Sequence, residues 1–520
     1  MSLPARNVSR DGLLAQAAAL FAEGWRIALV AAIEDGGEDG GEDGIEDGGE
    51  DGIEGRADLR VVYTFLRPGE EPTELRVGLA RGDAWLPTLA AASYPAGRFE
   101  REIRDLYGIE PRGHPLPYRM VRHGHWPTGW YPMLDAASGP PPAFADDVGS
   151  YPFLEVGGDG VYEIPVGPVH AGLIEPGHFR FSVVGETILR MKARLWFVHR
   201  GVEKLFEGRD VADGIELAER ISGDTAVGHA LAYAMAVEQA AGIEVAEPDR
   251  VVRALLLELE RLYNHVADLG AIANDVGFGI ANAHAQRLRE QLLRHNLHVT
   301  GHRLLRGGVS VGAARLREAP DVALVASVAR EVAELVEIVL GNPMVADRLT
   351  GTAVLPREQG ARIGVLGYVA RASGIDVDAR RDHPFLDLPE AFRVVTRESG
   401  DVLARFLVRA DEVAVSAEVV GQLSGRLDGG LGADTGSDPG HGAVVAPRGR
   451  ASGFAVVEAW RGALCHRVEL DGAGRLDRVK VVDPSFFNWP ALPVALAETI
   501  VPDFPLANKS FNQSYAGNDL

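Results

Sequence analysis

The chain has 520 residues, 46% hydrophobic and 24% charged, a soluble-protein composition long enough for roughly two to four domains. A net charge of −22 excludes the basic footprint of nonspecific nucleic-acid binding, and no run of 18 apolar residues offers a membrane span. The single cysteine, Cys465, excludes internal disulfides and any zinc or iron–sulfur centre held by several thiolates of this chain, and the N-terminus MSLPARNVSRDG lacks a signal-peptide core, so a cytoplasmic protein is expected.

In chain order, WRIALVAAI (Trp25 to Ile33), RVVYTFL (Arg60 to Leu66) and ELRVGLA (Glu74 to Ala80) predict strands, the last two joined by a turn at RPGEEP. Between the first two lies EDGGEDGGEDGIEDGGEDGIE, with 11 acidic residues and no basic one, so half of the net charge is local. Acids and glycine bury no apolar surface, and a disordered insertion over 34–58 inside an inflated hairpin is expected. The repeat lacks the hydrophobic positions that a calcium-binding β-roll stacks. From Tyr94, YPAGRFEREIRDLYGIEPRGHP predicts a short charged helix running into a loop. Gly and Pro then punctuate His123 to Asp147, which sets the expected division: a first domain over 1–135, a linker over 136–150 and a second domain over 151–520.

The second domain opens with short β pieces, VYEIPVG and HFRFSVVGE, and turns helical. Val252, Leu255, Leu259, Leu262, Val266 and Leu269 alternate steps of three and four, one stripe of a long helix with Asp249 as N-cap and Gly270 as stop. Val325, Val328, Val332, Leu335 and Val339 repeat the pattern, and several such helices make a bundle. From Ser452, GFAVVEAWRGALCHRVELDG and RLDRVKVVD alternate as β structure around a hairpin at DGAG, and the tail NKSFNQSYAGNDL is too polar for core and too varied for a flexible tag. The expected fold is α+β: an N-terminal α/β domain, then a large helical bundle with small β elements at both ends.

Four polar clusters carry possible chemistry. GPVHAGLIEPGHFRF holds His170, Glu175 and His178 in a loop that can aim titratable groups into one cavity, or simply bond them to nearby carbonyls. ERISGDTAVGH places Arg220, Ser222, Asp224, Thr225 and His229 at the opening of a helix, where capping by itself explains Ser222 or Asp224. DPSFFNW has the outline of a metal-binding turn from Asp483 without a soft ligand, and Arg461 and His466 flank Cys465, itself read as a small buried hydrophobe.

Taken together, GPVHAGLIEPGHFRFSVVGE, HRGVEKLFEGR, ERISGDTAVGH, ELERLYNHVADLGAIANDVGF, RASGIDVDARRDHPF, EAWRGALCHRVELDG and DPSFFNWPAL resemble the large subunits of membrane-bound [NiFe] hydrogenases of the formate-hydrogenlyase type and the quinone-site subunit of respiratory complex I. REIRDLYGIEPRGHP resembles the small peripheral-arm subunit of complex I that some of these systems fuse to the large one. In the hydrogenases two Cys-x-x-Cys pairs hold nickel and iron. The matching positions here are Ser222, Thr225, Ser485 and Asn488, and neutral hydroxyls and an amide are weak ligands where anionic thiolates are needed. The tyrosine that complex I uses beside its quinone falls on Gly223.

The resemblance therefore implies a subunit of an oxidoreductase complex that lacks a nickel–iron centre and holds no cofactor of its own. It would lie on the cytoplasmic face of the membrane, dock an iron–sulfur partner carrying a [4Fe–4S] cluster and rest on antiporter-like membrane subunits. Electron transfer, with quinone as a candidate acceptor, would be coupled to proton or ion movement. His170, Glu175, His178, Arg220, Asp224 and Asp483 would line the vacated cavity, with Glu175 in the position that passes protons in the hydrogenases. The alternatives are a redox-silent scaffold that transmits conformational change between partners and a nickel–iron hydrogenase with atypical ligands.

Overall fold

The computed structural model describes residues 3–35, 58–137, 139–145, 151–172, 174–427 and 449–520, and the expected disorder of the acidic insertion lies outside the described residues. Strands β1 (Ala5–Asn7), β2 (Arg26–Glu34), β3 (Leu59–Leu66) and β4 (Thr73–Leu79) form one sheet in the order β1-β4-β3-β2. Neighbours are antiparallel except β1 and β4. Strands β2 and β3 are buried on both faces, which is why their sequences read as unbroken apolar runs. Asp35 N–H donates to Asp58 O at 3.0 Å and the Asp35 carboxylate meets Arg60 at 3.2 Å, so the ends of the acidic insertion are pinned together as a hairpin.

Helix α1 (Tyr94–Tyr107) starts at Ser93, whose side chain accepts from Ala96 N–H, and stops at Gly108 in the left-handed region. Its charges read as a solvated face, yet Arg98, Glu100, Glu102 and Asp105 are buried. The helix is wedged against the second half of the chain. Phe99 stacks on Phe486 with ring centres 4.5 Å apart, Arg98 donates to Phe486 O and Asn518 Oδ1, and Glu102 pairs with Lys480 at 2.6 Å.

An antiparallel meander of β5 (Val161–Val166), β6 (His178–Val184) and β7 (Thr187–Arg194) opens the larger part. Then come α2 (Ala226–Ala241), α3 (Glu247–Asp275), α4 (Gly279–Thr300), α5 (Val322–Leu340), α6 (Gly367–Ala372) and α7 (Val402–Leu427). The predicted stripe of α3 is buried throughout, but the helix outruns both expected ends. Asp249 sits inside its first turn and accepts Ala314 N–H at 2.8 Å instead of capping. Gly270 does not stop it: a Cβ there would lie 2.5 Å from Ala285 Cβ on α4, so glycine serves a close helix crossing. The stripe hides a second fact, because the other faces of α3 are buried too. Their charges are paired, Arg253 with Glu238 at 2.9 Å, His265 with Glu412 at 2.7 Å and Asp268 with Arg409 at 2.9 Å. The equally periodic α5 keeps only its stripe buried and exposes Ile338.

The β segment after Ser452 is two strands where the alternation suggests one. β8 (Ala451–Ala459) turns at Trp460 and Arg461 into β9 (Gly462–Leu470), which pairs with β10 (Leu476–Val482). The turn is silent in the sequence because Trp460 and Arg461 are large and buried. The expected hairpin at DGAG joins β9 to β10. Short helices α8 (Pro484–Asn488) and α9 (Tyr515–Asp519) finish the chain, and the polar tail is core: residues 513–520 are all buried.

Candidate functional site

The four residues expected at the old ligand places are buried together where the approach to α2, the start of α8 and the tail converge. Ser222 Oγ donates to Asp224 Oδ1 at 2.9 Å and shares a 2.8 Å hydrogen bond with Ser514 Oγ. Ser514 N–H in turn donates to Ser485 Oγ at 2.9 Å. Thr225 Oγ1 donates to Asp224 Oδ1 at 3.0 Å, and Asn488 grips the backbone of Leu366, accepting its N–H at 2.8 Å and donating to its carbonyl at 3.2 Å. Every one of the four is thus satisfied within the chain, with a tail serine between the two halves.

Asp224 and Asp483 sit on either side. Arg461 forks onto Asp224 at 2.7 and 2.6 Å. Burial pushes the Asp224 carboxyl up, but the guanidinium and the bonds from Arg461, Ser222 and Thr225 bring it down to about 2. Asp483 caps α8 by accepting Ser485 N–H at 2.7 Å, and its other oxygen takes His229 Nε2 at 3.2 Å. His229 Nδ1 meets His466 Nε2 at 3.1 Å, while the buried His466 Nδ1 has no partner. Since the carboxylate can only accept, His229 donates to it from Nε2. Burial, and then His229, push His466 well below the ordinary histidine range.

Capping does not explain Ser222 or Asp224. The first amides of α2, Val227 and Gly228, are taken by Glu260 at 2.7 and 3.0 Å. In the first loop His170 Nε2 meets Tyr515 Oη at 3.3 Å and Glu175 accepts Ala516 N–H at 2.9 Å, so both face the tail helix α9. Burial lowers the pKa of His170. Asp519 in α9 is pushed up to about 6, by burial and also by the charge of Glu175, against hydrogen bonds from Asn518 and Val198.

Two expected residues lie elsewhere. Arg220, expected to line the cavity, is exposed on the helical turn before it and pairs with Glu216 at 3.3 Å; the cation on Asp224 is Arg461, delivered by the β8–β9 turn. His178 donates from Nδ1 to Gly167 O at 3.2 Å and turns its other nitrogen toward a separate cavity. Sequence reading missed Ser514, Tyr515 and Asp519, whose signal was a tail too varied to be a tag.

Residues 8–139 match the family model of the respiratory-chain NADH dehydrogenase 30 Kd subunit, residues 275–437 that of the 49 Kd subunit, and residues 200–269 nickel-dependent hydrogenase. Formate hydrogenlyase subunit 5 of Escherichia coli (strain K12) is 34% identical over 437 residues, covering 81% of this chain and 74% of that protein. The chain belongs to the formate hydrogenlyase subunit 5 family. Another relative of this family member, hydrogenase-4 component G of the same organism, is 34% identical over 433 residues, 81% of this chain and 73% of its own. Among solved structures, a chain of the membrane-bound sulfane sulfur reductase, an archaeal respiratory membrane complex, superposes with a TM-score of 0.62 at 27% identity, over 69% of this chain and 99% of that one.

For a formate hydrogenlyase subunit 5 relative the group at issue is nickel–iron, and the residues present do not fit it. Two serines, a threonine and an asparagine are neutral hard donors already committed to Asp224, Ser514 and the Leu366 backbone. Among the described residues no three of His, Cys, Asp and Glu are grouped to hold a metal ion. Cys465 is buried in β9 with its thiol pushed up to about 12, an inert hydrophobe. No described helix is long and apolar enough to cross a membrane.

Proposed function

We propose that this chain is a peripheral subunit, on the cytoplasmic face, of a membrane-associated oxidoreductase complex of the hydrogenase and complex I kind. It docks an iron–sulfur partner carrying a [4Fe–4S] cluster, rests on antiporter-like membrane subunits, and takes part in electron transfer to an organic, quinone-like acceptor coupled to proton or ion movement. The division at 1–135, 136–150 and 151–520 belongs to this reading, with the first part and the rest acting as one body. The observation that carries it is the succession of three family matches over residues 8–139, 200–269 and 275–437, together with four ligand positions that hold only hydroxyls and an amide.

In this reading the chain's own contribution is protonic. Glu175 accepts from the α9 amide of Ala516, and its charge helps to push the carboxyl of Asp519 in the same helix up to about 6. Asp224, Asp483, Ser222, Thr225, Ser485 and Asn488 hold the centre closed around Ser514, and His170 fixes Tyr515. That closure favours a second reading, a redox-silent scaffold that transmits conformational change, because it fills the old metal position with side chains of this chain.

The complex isolated from its native membrane separates the readings. We expect iron from the partner but no stoichiometric nickel, and quinone reduction that falls by about 100-fold in Glu175→Gln with assembly intact. Unchanged turnover in both Glu175→Gln and Asp519→Asn selects the scaffold. One nickel per chain with hydrogen evolution overturns both.

A further inference from the structure

Between the linker arm and the first meander lies a cavity of about 230 Å³ that none of the old ligand positions reaches. Its walls are rings: Tyr151, Phe153 and Phe197, with the imidazoles of His123, His125 and His178. Tyr151 and Phe153 stand 4.9 Å apart, His123 packs 4.7 Å from Phe197, and Phe153 lies 5.6 Å from His178. Arg194 forms the base, with its guanidinium 4.7 Å from the Tyr151 ring.

Arg194 is the unusual member. Only 5% of it is exposed, yet among the described residues no carboxylate lies within ion-pair distance; it donates to Met120 O and, at 2.8 Å, to Arg122 O. A buried cation is costly unless an anion compensates it. Among the described residues none is paired with it. Arg101 donates to Tyr118 O and Arg119 O, Arg104 to Pro117 O and Arg122 to Pro127 O, again without an ion pair among the described residues. Asp105, the acid of this region, is buried and spends one oxygen on the amides of Met120, Val121 and Arg122. An excess of arginine stands here in a chain whose net charge is −22. His178 adds a polar mark: with Nδ1 donating to Gly167 O, its buried Nε2 has no partner.

We propose that this cavity binds a small planar organic oxyanion, an aromatic carboxylate or phosphate, with its acidic group on Arg194 and its ring between Phe153 and Phe197. The His178 nitrogen then bonds a polar substituent of the ring. The volume suits one ring system with its substituent, and the paired aromatic walls stack on a flat body. A metal ion does not explain the site, since its three imidazoles are not grouped to hold one. The site goes beyond the electron-transfer reading, and its test does not depend on the native complex.

Phenyl phosphate and benzoate, titrated calorimetrically into the purified full-length protein, are the probes. At least one is expected to saturate at one per chain, about tenfold or more tighter than inorganic phosphate or acetate, and to weaken about tenfold in Arg194→Gln and Phe153→Ala. Arg194→Gln also gives up two bonds to backbone carbonyls; if it does not fold, Phe197→Ala and His178→Leu on the rim carry the test, each weakening the same probe. Failure of both probes to saturate by about 10 mM overturns the proposal, as does undiminished binding in the folded variants.

Discussion

Asp224 and Asp483 stand beside the same old ligand positions but do different work. The Asp224 side chain keeps 38% of its surface exposed, so solvent screens its pair with Arg461. Asp483 is fully enclosed and belongs to His229 and Ser485. Although burial pushes its carboxyl up, the bond and charge of His229 hold it below the ordinary value. The unfolded value is about 4, so this stabilisation is complete above about pH 4 and is lost as pH falls through the lower folded value. Asp483→Asn is expected to cost about 1–3 kcal/mol at pH 7 and to flatten the acid limb of stability, read by urea denaturation at pH 7 and pH 3. Coincident curves at pH 7 remove the His229 bond from the account.

At the scale of elements, the deciding contact is between the start of α6 and the β8–β9 turn. Gly367 has φ of 62°, and a Cβ on it would lie 1.9 Å from Arg461 O, inside the backbone of the turn that delivers Arg461 to Asp224. Gly367→Ala is therefore expected to cost more than about 3 kcal/mol, combining left-handed strain with displacement of the turn. Thermal unfolding checks it, and a midpoint within a degree or so of wild type contradicts it. The same contact explains a limit of sequence reading. The turn carries no Gly-rich pair of its own residues; its shape is imposed by a glycine almost a hundred positions earlier.

For the whole molecule, the first part of the chain is stapled to the rest through buried charge. Lys480 on β10 reaches Glu102 on α1 at 2.6 Å and Glu203 at 3.0 Å, and Arg478 holds Glu203 at 2.6 Å. Removing Lys480 leaves Glu102 buried and unpaired, while Glu203 keeps Arg478. Lys480→Met is expected to cost about 3–5 kcal/mol in chemical denaturation while the protein still unfolds in one transition. Two separated transitions contradict the staple.

Sequence alone determined the elements whose pattern is local. The stripes of α3 and α5, the apolar strands β2 and β3, the hairpin enclosing the acidic run and the loss of four thiolates follow from spacing and side-chain chemistry. The tertiary structure decided what depends on distant partners. It set Arg461 rather than Arg220 on Asp224, put Ser514 between Ser222 and Ser485, made a polar tail into core, and left Arg194 facing a cavity without an anion. Polar groups and charges are tolerated in the interior only with partners, and those partners lie far along the chain, 292 residues apart for Ser222 and Ser514 and 420 for Arg98 and Asn518, beyond the reach of any local pattern.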